Sequence, residues 1–220
     1  MKRESPQIED VYGILAKEFK AHRAPVIDLI EVQTGDPYKI LVATILSART
    51  KDEVTAAASR RLFERAKNLR ELGKLTVEEL EELIYPVGFY KNKAHYLKQL
   101  PFVINEKFNG RIPEDVDELT ELPGVGRKTA NLVVAVAFKK PAVCVDVHVH
   151  RIFNRLGYIS TNTPLETEME LRRIFPQRFW TTFNSYFVSF GQNTCSPIKP
   201  KCGVCPIAKF CSFTLRGSGK

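Results

Sequence analysis

Residues 122–128, Leu-Pro-Gly-Val-Gly-Arg-Lys, place two glycines around one residue and a lysine two positions after the second. Gly124 and Gly126 let the backbone turn sharply and lie bare against whatever approaches it. Arg127 opens an apolar run reaching Phe138 that reads as a helix, and its unpaired first N–H groups and positive dipole end face back toward the hairpin. That arrangement suits a phosphate. Lys128 lies in the first turn, where the dipole disfavours the charged form of its ε-amine and leaves more neutral nucleophile. An acid follows in Cys144-Val-Asp-Val-His148, where Asp146 is placed to cap a helix from His148 to Leu156. Each residue also has a plainer use: glycines at a helix corner, a lysine that only touches phosphate, an acid that only caps. Leu-Pro ahead of the hairpin and Arg-Lys behind it, in a basic chain, favour phosphate binding.

The second group with chemistry is Cys195-x6-Cys202-x2-Cys205-x5-Cys211. Four thiolates in a short, Pro-interrupted loop can hold zinc or an iron–sulfur cluster. Zinc ribbons usually pair two Cys-x2-Cys knuckles, and one such knuckle exists here; the spacing also differs from the ferredoxin run. The loop has too little apolar surface to fold alone, so metal–thiolate bonds must fix it. Lys199, Lys201 and Lys209 lie within it, either as solvated charges or as phosphate contacts. The fifth cysteine, Cys144, sits among Val and Ala as a small buried hydrophobe.

The elements that must position these groups read mostly as helices. Ile8 to Phe19 is amphipathic, with Ile8, Val11, Tyr12, Leu15 and Phe19 at helical spacing. Tyr38 to Ala48 is apolar nearly all round, which fits a buried helix and, by periodicity alone, also a strand. The loop from Ser47 leads to a helix with Asp52 as its expected cap. Thr76-Val-Glu-Glu79 is a capping box for a helix to Ile84. Tyr90 to Phe108 continues as a helix with an expected kink or break at Pro101. A short helix is expected to start at Pro113 and run to Leu122. A second capping box, Thr163-Pro-Leu-Glu166, opens a helix to Phe175, and Trp180 to Phe190 reads as another.

A chain of 220 residues with 44% hydrophobic content buries a real core and allows one domain or two small ones. Lys and Arg number 33 against 25 Asp and Glu, a formal charge of +8 that suits a polyanionic partner such as nucleic acid. No apolar run approaches the roughly 20 residues that span a bilayer, and the first residues lack a signal core. The expectation is a soluble, intracellular protein, cytoplasmic or nucleoid-associated, with no membrane partner.

Leu122 to Lys128 followed by Val145-Asp-Val-His148, with the cysteine spacing above, resembles the helix-hairpin-helix DNA glycosylases, most closely the endonuclease III family. The likeness extends from Asp36 to Cys211. It implies an all-α fold, with Tyr38 to Ala48 as its buried helix, and no strand signal of any weight opposes that. A six-helix domain over 30–140 would carry the hairpin, and 1–29 with 141–220 would form the cluster domain, with the active cleft between. It implies a [4Fe–4S] cluster on Cys195, Cys202, Cys205 and Cys211, and a monomer acting on double-stranded DNA with damaged bases or abasic sites. Lys128 and Asp146 fall on the catalytic positions of a bifunctional glycosylase/lyase for oxidised pyrimidines. Gly124, Gly126, Arg127, Lys199 and Lys201 fall on DNA-backbone positions. Residues 86–94, Pro-Val-Gly-Phe-Tyr-Lys-Asn-Lys-Ala, resemble the family's Gly-Leu/Phe-Tyr-x-x-Lys-Ala loop. Phe89 would there be a wedge entering the base stack, although an isolated Phe is more often core. Arg49 departs from the family, which has glutamine at a position inserted toward the space left by the flipped base. The rivals are a monofunctional glycosylase for mismatched adenine or thymine, which usually lacks the lysine at 128, and a non-catalytic iron–sulfur DNA-binding module, which needs neither Lys128 nor Asp146.

Overall fold

The computed structural model describes residues 8–20, 26–27, 30 and 34–215, and every regular element among them is helical. Two compact units divide the chain, one over 26–142 and the other joining the N-terminal helix to 143–220. No helix among the described residues is long and apolar enough to cross a membrane.

The first unit is built on α2 (Pro37–Ser47). Asp36 caps it through the Tyr38 amide at 2.9 Å and Pro37 supplies its first turn. All its residues from Ile40 to Leu46 are buried, so its lack of a polar face places it inside a shell of helices. It packs against α3 (Asp52–Arg65), α6 (Tyr90–Phe108) and α8 (Arg127–Ala137). The short helices α4 (Leu69–Lys74) and α5 (Val77–Ile84) pack on α6, and α7 (Val116–Thr120) leads into α8. The Thr76 capping box forms in both directions, at 3.2 and 2.8 Å.

Three expectations are changed here by specific contacts, one local and two from distant parts of the chain. Lys51, not Asp52, is the N-cap of α3; Asp52 is its first helical residue, and its carboxylate accepts the Val26 amide at 3.3 Å. The helix expected from Pro113 begins at Val116, because the Asp115 carboxylate takes the Asp117 amide at 2.8 Å and fixes the start there. Pro101 does not break α6: its ring is buried, and it sits where Gly73 of α4 offers no side chain to obstruct it.

The second unit contains α1 (Ile8–Phe19), α9 (Val147–Leu156), α10 (Pro164–Ile174), α11 (Phe183–Asn193) and α12 (Ser212–Leu215). Its core is aromatic: Phe153 stacks on Phe187 at 4.6 Å and meets Phe175 edge-on at 5.5 Å. Trp180 falls outside α11, which starts at Phe183; its indole N–H donates to the Phe175 carbonyl at 3.0 Å and holds the preceding turn instead. The box at Thr163 closes on one side only, since the Glu166 carboxylate accepts from Asn162 N rather than from Thr163 N.

Among the described residues of the first unit one charged side chain is buried. Lys93 is 5% exposed, on the same face of α6 as Leu97, Leu100 and Ile104. Its ammonium donates to the carbonyls of Leu46 at 2.8 Å and Ala48 at 2.6 Å, and to Thr50 Oγ1 at 3.2 Å. Three acceptors match its three protons, yet burial still pushes its pKa down to about 8. A lysine depressed on folding leaves the unfolded chain with more protons between about pH 8 and its ordinary value near 10.4. The cost of burying the charge is therefore full below pH 8 and relieved as pH rises through that window. Urea unfolding at pH 7 and pH 9.5 is expected to show wild type gaining about 1–3 kcal/mol relative to Lys93→Met. A difference that does not move with pH would show that Lys93 titrates normally.

Candidate DNA-repair active site

The hairpin is held from within by Gly124 and left open at Gly126. Gly124 has φ +76°, and a Cβ there would lie 2.6 Å from the Tyr96 ring, so both the turn and the neighbouring α6 require glycine. Gly126 has φ −90°, and a Cβ there would meet nothing within 4 Å. No internal contact demands glycine at 126, which leaves room beside the backbone for an outside group. Gly126 is also the N-cap of α8, without a side-chain cap, so the positive end of the helix is not screened by a carboxylate or hydroxyl of its own. Arg127 is paired with Asp117 of α7 at 3.2 Å, and this ion pair ties the two helices across the turn. Lys128 is exposed in the first turn of α8.

Asp146 is the N-cap of α9. One oxygen accepts the amides of His148 and Val149, both at 2.9 Å, and the residue is 8% exposed. It sits at the end of a buried extended stretch, 142–146, in which Cys144 is fully buried and its carbonyl accepts Asn184 Nδ2 at 3.1 Å. These two bonds set the orientation of the carboxylate from the backbone.

The turn after α2 and the turn before α6 meet. Arg49 is exposed with φ +53°, and Phe89 is 60% exposed with φ +59°; the guanidinium lies 5.4 Å from the Phe89 ring centre. That exposure rules out a core role for Phe89. A left-handed conformation is uncommon for an arginine and more so for a phenylalanine, so surrounding contacts must hold both. Gly88 lets the turns touch: its amide donates to Thr50 Oγ1 at 3.1 Å, and a Cβ there would lie 2.4 Å from the Arg49 carbonyl oxygen.

The four cysteines of 195–211 line one pocket with Ile152, Leu156, Phe190 and Ile207, apart from Cys144. Four thiols lining one pocket are a donor set that fits a multi-iron cluster. Burial pushes the Cys205 thiol up to about 11, so binding a metal there must displace its proton. The loop is tied to α9 by two arginines. Arg151 donates to the Cys195 carbonyl at 2.8 Å from Nη2, and Arg155 donates to Ser196 O and Pro197 O at 2.8 Å each and to Cys195 Sγ at 3.3 Å. Lys199 and Lys201 are exposed, Lys199 with φ +49°.

Two supports of the site escaped the sequence reading. Lys93 carried a signal, a charge in phase with the apolar stripe of α6, whereas Arg155 carried none, because its partners are loop carbonyls far along the chain.

Residues 42–177 match the model of the HhH-GPD superfamily of base excision DNA repair proteins, and 195–211 match the iron–sulfur binding domain of endonuclease III. The chain is 46% identical to endonuclease III of Thermotoga maritima over 84% of its length and 87% of the relative's. Among solved structures it resembles a trapped endonuclease III–DNA covalent intermediate, with TM-score 0.83, 35% identity and coverage of 97% and 98% of the two chains. It also resembles a thermostable thymine-DNA glycosylase, with TM-score 0.84, 26% identity and coverage of 94% and 96%. The helical fold is thus common to enzymes of different base preference, while the higher identities lie on one side, and the chain belongs to the endonuclease III family, DNA glycosylase/AP lyases of base excision repair that carry a [4Fe–4S] cluster.

Proposed function

We propose that this enzyme removes oxidised pyrimidines from duplex DNA as a monomer, with Lys128 as nucleophile and Asp146 as its acidic partner. The observation that carries this reading is an exposed lysine in the first turn of α8, two residues after a glycine with open space beside it. The hairpin amides and the positive helix end take a phosphate, and the amine then lies close to the sugar of the adjoining nucleotide. The damaged base must leave the stack to be reached, and Phe89 and Arg49 occupy the space it vacates. Lys199 and Lys201 meet the backbone elsewhere. Cys195, Cys202, Cys205 and Cys211 hold the cluster, whose chemistry when bound is to fix a loop that cannot fold unaided. The net charge of +8 suits the polyanion, and the absence of the lysine in most monofunctional relatives favours the lyase reading over mismatch repair. The setting is wherever the cell's DNA lies, the cytoplasm or its nucleoid.

Chemistry follows from the two groups. The Lys128 amine attacks C1′ as the bond from C1′ to the base nitrogen breaks, and the base departs with that electron pair and collects a proton. Asp146 balances the positive charge that grows on the sugar. The amine loses a proton, the ring C1′–O4′ bond opens, and an imine joins lysine to C1′. The imine acidifies C2′; loss of that proton forms the C1′–C2′–C3′ conjugated system and expels the 3′ phosphate, cutting the strand. Asp146 is also placed for the proton transfers.

Three outcomes are expected. Borohydride reduces the imine to a covalent protein–DNA adduct, and Lys128→Gln abolishes both adduct and strand cleavage while duplex binding survives. An adduct that persists in the variant, or that maps by peptide analysis to another amine, names a different nucleophile. Asp146→Asn keeps the cap, since Asn is an equally good N-cap, yet slows single-turnover excision by about 100-fold or more. Near-normal turnover would leave Asp146 with capping alone. Iron analysis should find about four irons per chain with visible absorption, and stoichiometric zinc with none would refute the cluster.

A further inference from the structure

We propose that Lys93 is a positioning residue for base extrusion: its ammonium clamps the 46–50 turn to the start of α6, so that Arg49 and Phe89 enter the duplex as one rigid unit. This rests on the role proposed above for those two side chains.

The two turns come from different parts of the chain, and no helix or strand joins them. Each carries an outward side chain on a left-handed residue, a conformation that its surroundings must hold. Left alone, such turns would relax, and each side chain would sample several directions. Lys93 acts on both. Its amide donates to the Phe89 carbonyl at 3.1 Å, the first helical bond of α6, which fixes the backbone of the wedge residue. Its ammonium takes the Leu46 and Ala48 carbonyls, which flank the end of α2 immediately before Arg49, and the Thr50 hydroxyl immediately after. Thr50 Oγ1 in turn receives the Gly88 amide, so a single hydroxyl joins both turns.

An apolar residue of the same length would fill the space without satisfying any acceptor. Burying a lysine here costs stability, as its depressed pKa shows. A leucine or methionine would serve packing better, so the charge is retained for what it holds. What it holds is the pair of side chains that stand out from the surface. Pushing a wedge into a base stack meets the resistance of stacked bases. A wedge on a loose turn would yield before the stack did. Rigidity at the base of the wedge therefore bears on extrusion and not on the chemistry that follows it.

The test compares one lesion, thymine glycol, in two settings: paired in a duplex, and unpaired within a short bubble where extrusion is already done. Single-turnover excision rates are measured for wild type, Phe89→Ala, Arg49→Ala, Lys93→Met and the double variant Lys93→Met/Phe89→Ala. Lys93→Met is expected to lower the ratio of paired to unpaired rates by about tenfold or more, the scale of losing charged hydrogen bonds. The double variant should be no worse than the poorer single, because all three residues serve one step. A 2-aminopurine opposite the lesion should brighten less on binding Lys93→Met than on binding wild type, reporting incomplete unstacking. If Lys93→Met slows both substrates equally, or if its effect adds to that of Phe89→Ala, the lysine is only a stability element and the inference fails. If Phe89→Ala and Arg49→Ala leave the paired rate intact, the reading of the two side chains fails first, a distinguishable result. Should Lys93→Met not fold, Thr50→Val removes the shared hydroxyl at constant shape and is read by the same ratio, with a lowered ratio supporting the clamp and an unchanged one overturning it.

Discussion

Burial of α2 on every side is the constraint from which the first unit takes its form. A helix with no polar face must be enclosed, and each buried Leu, Ile or Val contributes about 1.5–3 kcal/mol by leaving water. Its enclosing helices are also those that carry the site. α8 packs along it and so fixes the first turn in which Lys128 lies; α6 packs along it and brings Lys93 under its last carbonyls; its own end releases the turn bearing Arg49. Function here is placed on the irregular backbone at helix ends, and the buried helix gives those ends a common reference.

In the second unit the same work is divided between an aromatic core and two arginines. α9 carries Asp146 at its N-cap and, one and two turns further on, Arg151 and Arg155, whose guanidinium groups satisfy carbonyls of the cysteine loop. One helix thus fixes the carboxylate at its start and the cluster loop along its side. Phe153 of α9, stacked on Phe187, anchors that helix in the core. A shift of α9 would disturb acid and loop together.

Much of this was legible in the residues. The hairpin, the Thr76 box, the Asp146 cap and the limits of α1 rest on local rules, and local rules are visible in sequence. The errors have another origin. Asp52 was taken by a distant amide, Val26; Trp180 found a carbonyl at Phe175 that stopped the helix from including it; Pro101 was accommodated by a glycine on another helix. At Asp52 and Pro101 a partner distant in the chain outweighed a sound local preference, and at Trp180 a carbonyl five residues back did. Lys93 and Arg155 share that origin. Their partners are backbone carbonyls, and a carbonyl has no residue type by which to announce itself.

The hairpin shows why its chemistry can depend on backbone rather than on charge. Arg127, the cation nearest the glycines in sequence, is already met by Asp117 at 3.2 Å. A second negative group arriving there competes with a carboxylate for it, so Arg127 adds less attraction than its charge suggests. The amides of the turn and the helix dipole act through backbone, and Gly126 leaves the space beside it open. Amides at fixed positions bind a phosphate in one orientation, whereas a long flexible cation accepts many. For an enzyme whose nucleophile must meet a single carbon, a grip that fixes orientation is worth more than one that only adds affinity, and pairing Arg127 within the hairpin stiffens the turn that supplies it.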